Sequence, residues 1–322
     1  MKTIIGPDLN PTFSSQHFTL HDWDNKASVR TNKHCCLLPL DLQQQLKTRN
    51  WFPLDFLPYL NHPAISNRAI THHLSASHLV YFLDYTTLLE HRIVNRSVET
   101  IIYNELGISI PTRMKAAALQ LYTDEGYHAL FSSQLAEQVA DFYGITVRQV
   151  TPRRIARLNN LIERTPERRK KLCWFLIGFV SETIIAKELL DACRDELVSS
   201  VQDMLRDHLN DEARHSRYFC EVFHYLWLNL DSDQRAFSTS SLVEILLIFF
   251  EIDEPWLGSS LRGAGLDETS VLEILSDLTS SQACLRRARS GARPTLKALT
   301  KAGVFEIPSN RQIFFNAGLL DE

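Results

Sequence analysis

Glycine and proline are scarce in this chain, 11 and 12 among 322 residues, and long stretches lack the apolar/polar alternation of a half-buried strand. That excludes turn-dense sandwiches and barrels and leaves an all-α chain. The six cysteines (Cys35, Cys36, Cys173, Cys193, Cys220, Cys284) form no Cys-x-x-Cys and no paired framework, so neither an iron–sulfur cluster nor a thiolate zinc site is expected. Cys173 and Cys220 sit in apolar helical stretches and read as small hydrophobes, whereas the vicinal Cys35-Cys36 reads as a reduced loop pair. No G-x-G-x-x-G occurs: RGAGLDE at 262–268 lacks the third glycine and a preceding strand, which excludes a resident dinucleotide. No apolar run approaches about 18 residues, and MKTIIGPDLN carries no signal-peptide pattern. A soluble, cytoplasmic protein with no membrane partner is expected. Net charge is −4, and the basic runs RTPERRKK (164–171) and RRARSGAR (286–293) interleave no aromatics, which argues against a nucleic-acid partner. Both runs read as solvated helix ends; a weaker alternative makes one of Arg286, Arg287, Arg289 or Arg293 a clamp for a substrate carboxylate.

Carboxylates and imidazoles, by contrast, recur at helical spacing. Glu90 stands alone, Glu125 is followed by His128, Glu182 stands alone, and His208, Glu212 and His215 close the series. Residues three and four apart are neighbours on one helical face, so each Glu-x-x-His presents two donors together. Two such pairs and two lone glutamates are the ligand set of a four-helix-bundle dinuclear carboxylate site. With 19 Glu and 12 His, chance supplies roughly 0.7 Glu-x-x-His matches, and the chain has three. Helical phase separates the third, Glu221/His224, from the others. At about 100° per residue with His208 as zero, Glu212 falls near 40° and His215 near 340°, whereas Glu221 falls near 220° and His224 near 160°. That pair points away and reads as a solvated or interface pair.

The company of each candidate supports an inward position. Glu182 lies in KLCWFLIGFVSETIIAKELL, a stripe where an unpaired carboxylate must lose its charge or find a cation. Glu90 shares its face with Leu83, Thr86, Ile93 and Val94, and Glu125 and His128 share theirs with Ala118, Leu121 and Ala129. Singly, each reads as readily as a surface glutamate or a hydrogen-bonded core histidine; four glutamates and three histidines on four inward faces do not.

Residues 1–66 are turn-rich and are expected as an irregular arm packed on a bundle that occupies 67–322, the whole forming one domain. Helices are expected at about 67–107, 111–143, 152–164, 167–197, 199–230, 240–252 and 267–289. Asp124 and Asp211, each preceding a candidate glutamate, are displaced by about 100° around the helix. A histidine partner for either therefore belongs to another helix, with an interhelical salt bridge, for example to Arg214 or Arg113, as the equal alternative. Tyr122 is a candidate for the cavity wall or the core.

The strings YTDEGYHAL and HLNDEARHSRYF, with Glu90 lying 35 residues before Glu125 and Glu182 lying 26 before His208, resemble the p-aminobenzoate N-oxygenase family of ferritin-like diiron oxygenases. The resemblance spans roughly residues 70–230. It implies a ferritin-like four-helix-bundle core with additional helices, often a homodimer, and oxidation of an amine nitrogen to hydroxylamine, nitroso or nitro. It assigns iron ligands, and with them the catalytic centre, to Glu90, Glu125, His128, Glu182, His208, Glu212 and His215. The third histidine, His208, sets this branch apart from the two-histidine site. Four carboxylates and three imidazoles suit two irons (or manganese) better than zinc. O2 is the expected co-substrate, and a free or carrier-bound amine the expected substrate. With no cofactor motif of its own, the chain is expected to take electrons from a partner reductase or ferredoxin. Rival readings on the same scaffold are a hydroxylase or desaturase of C–H bonds and a metal-binding bundle without turnover.

Overall fold

The computed structural model describes residues 14, 17–31, 37–65, 67–146, 148 and 151–321. Three short helices come first, α1 (Trp23–Lys26), α2 (Ser28–Thr31) and α3 (Leu42–Gln45). The long helices follow: α4 (Arg68–Leu88), a π-helical turn (Leu89–Val94), α5 (Asn95–Ile102), α6 (Thr112–Tyr143), α7 (Arg153–Arg164), α8 (Glu167–Ala192) and α9 (Ser199–Asn229). The chain closes with α10 (Ser232–Phe249), α11 (Glu254–Gly263), α12 (Glu268–Thr279), α13 (Ser281–Gly291), α14 (Arg293–Lys301) and α15 (Pro308–Asn316). The fold is all-α. Among the described residues the one extended pairing is a bridge between Asn50 and Leu197, and no helix is long and apolar enough to cross a membrane.

Local chemistry explains the boundaries. The Asn67 side chain accepts the Ala69 N–H at 2.7 Å and starts α4. α6 ends where Gly144 takes the left-handed conformation (φ 65°), leaving the Ile145 N–H to close on the Ala140 carbonyl. Several expected limits are corrected. The segment 67–107 is broken by the π turn and ends at Ile102. α10 begins at 232 rather than 240, because Asp231 and Gln234 form a capping box. The segment 267–289 is two helices, since Ser280 caps α13 through the Ala283 N–H. Helices α11, α14 and α15 lie outside the expected segments; each carries a proline in its first turn.

α4, α6, α8 and α9 form the bundle. α4 and α6 run antiparallel: His73 meets the Tyr143 ring near one end, and Thr87 lies against the Ala129 carbonyl further along. α5 and α8 pack closely at Gly178, where a Cβ would come within 2.4 Å of the Ser97 side chain. The apolar interior falls into two clusters along the same four helices. One contains Leu121, Phe175, Phe179, Phe219 and Phe223, and the other Leu79, Phe131, Leu135, Leu189 and Leu205. Between them lies a layer of buried carboxylates and imidazoles. Residues 17–31 and 37–65 lie on the helices: Phe18 and Leu20 are buried, and Trp51 donates its indole N–H to Tyr143 Oη at 2.7 Å.

Candidate metal centre

All seven residues singled out by spacing meet in that layer, each at most 1% exposed. Glu90 comes from the π turn, Glu125 and His128 from α6, Glu182 from α8, and His208, Glu212 and His215 from α9. At one pole, His208 Nε2 lies 2.8 Å from Glu90 Oε1 and 3.5 Å from Glu212 Oε1. At the other, His215 Nδ1 lies 2.9 Å from Glu125 Oε1 and 3.7 Å from Glu182 Oε2. Glu125 and Glu212 lie between. Glu125 approaches both His128 (3.7 Å) and His215 (2.9 Å), and Glu212 Oε1 is within 3.5 Å of all three imidazoles. The donor atoms form two overlapping groups able to hold a cation, Glu90/His128/His208/Glu212 and Glu125/His128/Glu212/His215.

Two aspartates, each next to a glutamate of the layer, orient the histidines from behind, in a crossed arrangement. Asp211 of α9 takes His128 Nε2 of α6 at 3.0 Å, and Asp124 of α6 takes His215 Nε2 of α9 at 3.0 Å. The 100° offset along each helix thus sends each aspartate to the opposite helix, and both Nδ1 atoms are left facing the layer. Asp211 is also ion-paired with Arg214, but within α9 rather than between helices, so the histidine partner on another helix is the expectation that holds. The N-terminal segment completes these pairs. Trp23 donates its indole N–H to both Asp124 oxygens at 2.9 Å, and the Ser28 backbone N–H donates to Asp211 at 3.1 Å. Periodicity carries no trace of these contacts.

The layer fits metal ions on its own chemistry. Both oxygens of Glu90, Glu125 and Glu182, Oε2 of Glu212, Nδ1 of His128 and both ring nitrogens of His208 are buried without a hydrogen-bond partner. The 2.8 Å approach of His208 to Glu90 lacks hydrogen-bond geometry. So many orphaned donors and acceptors in one place are prohibitively costly unless a cation fills them. Four ionised glutamates also match the charge of two divalent ions.

Proton affinities show the same strain. Burial pushes the Glu90 carboxyl up to about 7 against the pull of His208, and burial with the charges of Glu212 and Glu125 raises Glu182 well above the carboxylate range. Burial alone would lower His128 and His215, but the carboxylates around them hold both well above the usual imidazole value. Burial would raise Glu212, yet its three histidines pull it well below. Without metal, the folded site thus binds more protons than the unfolded chain once pH exceeds the ordinary carboxylate value. Stability of the metal-free protein should therefore fall as pH rises through about 7 and beyond. Metal binding must expel these protons, so apparent metal affinity should rise over the same window. Calorimetric titration in buffers of different ionisation enthalpy measures the release; zero proton release would contradict this picture.

Other candidates fall outside the layer. Glu221 accepts the Phe18 backbone N–H at 2.6 Å and pairs with Arg217, which makes that third glutamate an anchor for the N-terminal segment. Tyr122 is 39% exposed, so it is neither core nor cavity wall. In the second basic run Arg287 is bound to the Leu278 and Phe250 carbonyls, and Arg289 to Gly318 and Asp321. In the first, Lys171 pairs with Glu105, and Arg164 and Arg169 pair with Glu244 and Asp233. Cys173 is buried and free, and Cys35 and Cys36 lie outside the described residues.

Comparison with known proteins decides the family. A family model described as P-aminobenzoate N-oxygenase AurF matches residues 39–303, most of the chain. The chain belongs to the p-aminobenzoate N-oxygenase family. No curated protein matches it individually. The family match extends well beyond the roughly 70–230 that the motifs alone cover, and takes in α10 to α14. Membership makes this chain an oxygenase of ferritin-like, all-α architecture.

Proposed function

We propose that this p-aminobenzoate N-oxygenase family member is a diiron enzyme that uses O2 to oxidise a primary amine to its hydroxylamine, nitroso or nitro product. The observation that carries the reading is the convergence of seven buried donor residues, six of which carry at least one oxygen or ring nitrogen without a hydrogen-bond partner. Glu90, His128 and His208 would hold one iron and Glu182 and His215 the other, with Glu125 and Glu212 shared. Bound there, an iron pair supplies the activation of O2. The protein's part is to fix the imidazoles through Asp124 and Asp211, to exclude water between two apolar clusters, and to leave room for an amine.

A cavity of about 210 Å³ offers that room. Its walls include Phe52, Tyr81, Phe82, Tyr85 and Trp256. Tyr85 precedes Glu90 by five residues, about 7.5 Å of helical rise, and feels its charge, so this wall of the cavity lies near the layer although none of the seven residues lines it. Arg154 also lines it, stacked over the Tyr85 ring at 4.7 Å, with the Tyr85 hydroxyl and the Glu188 carboxylate of the same wall interacting with its guanidinium. An aromatic slot whose wall carries the Arg154 and Arg287 guanidiniums beside Glu188, Glu251 and Asp253 suits an aromatic amine that bears a carboxylate. Purified, iron-loaded protein supplied with a reductant and O2 should convert an aminobenzoate to N-oxygenated product, read by mass spectrometry, in preference to aniline. Ring-hydroxylated product with the nitrogen untouched would favour a C–H hydroxylase instead.

A further inference from the structure

The two Asp–His pairs behind the layer are near-equivalent in their inner parts and different in their outer ones. On the His128 side, Asp211 ends in a backbone N–H and the Arg214 guanidinium. On the His215 side, Asp124 ends in an indole. Trp23 is half-buried, with the exposed residues His21, Asp22, Asp24, Asn25 and Lys26 around it. Arg30 lies over its ring at 5.5 Å. The backbone turns through the left-handed region at His21 (φ 36°) and Asp22 (φ 32°), two of the residue types that tolerate it best outside glycine, immediately before Trp23. A mere plug for Asp124 needs neither an aromatic ring nor a surface position; a serine hydroxyl or a backbone N–H would do, as at Asp211.

We propose that Trp23, Asp124 and His215 form the electron-entry route to the metal centre, and that the face around Trp23 is where a one-electron carrier protein docks. This rests on the diiron reading above. The contacts are continuous: indole N–H to carboxylate at 2.9 Å, then carboxylate to imidazole Nε2 at 3.0 Å, with Nδ1 of the same ring turned to the layer. Each pass moves one electron. The reduced carrier would lose it at the indole, it would pass through the two hydrogen bonds, and an iron held by His215 would take it up, so that two passes supply the two electrons an iron pair needs. No covalent bond forms or breaks, no proton is required, and the indole ends unchanged. Among the described residues, none of the other contacts to Glu90, Glu125, His128, Glu182, His208 or Glu212 leads by hydrogen bonds to a surface aromatic ring. Trp23 is thus a positioning and conducting residue, remote from the amine.

The test compares parent and Trp23→Phe proteins, both iron-loaded and oxidised, in anaerobic stopped-flow reduction followed by absorbance. One arm uses a pre-reduced [2Fe–2S] ferredoxin, which must dock; the other uses dithionite, which need not. The phenylalanine variant should retain its iron and melt within a few degrees of the parent. Its reduction by ferredoxin should be clearly slower than that of the parent, with the dithionite rate unchanged. Unchanged ferredoxin rates, or equal slowing with both donors, would overturn the route. So would loss of iron from the variant, because the indole would then be a structural clamp. A parent protein that takes up no iron would instead end the diiron reading, and the route with it.

Discussion

Glu212→Ala is expected to yield a folded protein that no longer loads iron. Glu212 Oε1 is within 3.5 Å of His128, His208 and His215, so it is the one carboxylate that every imidazole of the layer shares. Removing a shared ligand weakens both ions, and the loss of affinity should exceed the 10–100-fold typical of a residue behind a ligand. His215→Ala should behave likewise, since it removes a donor and leaves Asp124 buried against the Trp23 indole alone. The same changes at Glu221 and His224 are the control. Glu221→Ala gives up the hydrogen bond to Phe18 and should cost about 1 kcal/mol of stability. Iron content and turnover should stay near the parent values. Equal iron loss at the two pairs, measured by metal analysis of refolded or purified variants, would show that the layer is not the metal site.

His208→Ala should separate metal retention from chemistry. Six donors remain, the four glutamates and His128 and His215, which is the ordinary dinuclear carboxylate set, so iron should still bind. The change removes the neutral donor beside Glu90, and N-oxygenation should fall by an order of magnitude or more, while O2 consumption need not fall in step. Packing alone does not account for this ring. Both its nitrogens are buried and unsatisfied, and each such atom costs about 1–3 kcal/mol when it has no partner. If His208 only filled space, alanine would change the melting temperature and leave the iron spectrum unaltered. A spectrum and product yield that overlay those of the parent would remove His208 from the ligand set.

How much of this was legible beforehand depended on whether a residue spoke through its helical phase. The seven acidic and imidazole residues break otherwise apolar stripes at three- and four-residue spacing, and a buried charge in such a stripe has few explanations, so they could be read. Phase also put Glu221 on the far side of α9, where it meets Phe18. The crossed Asp124–His215 and Asp211–His128 pairs were legible in part: the 100° offset fixed that the partner lies on another helix, while which histidine it is depends on how α6 and α9 face each other. The π turn at 89–94 gives no pattern, because one extra residue in a turn shifts phase without changing composition. It re-aims Glu90 relative to the α4 face that precedes it. The Trp23 and Ser28 contacts were invisible for another reason, as they join positions 101 and 183 residues apart and no periodicity links an irregular segment to a helix. Helices α11, α14 and α15 span only 10, 9 and 9 residues, too short for a periodic stripe to stand out.

The most direct measurement is the metal content of the protein loaded anaerobically with ferrous iron and freed of excess, set beside the absorbance change on admitting O2. About two irons per chain, the stoichiometry of a dinuclear carboxylate bundle, with a visible chromophore that appears on O2 addition, is the predicted result. A single zinc bound in preference to iron, with no optical response to O2, would contradict it.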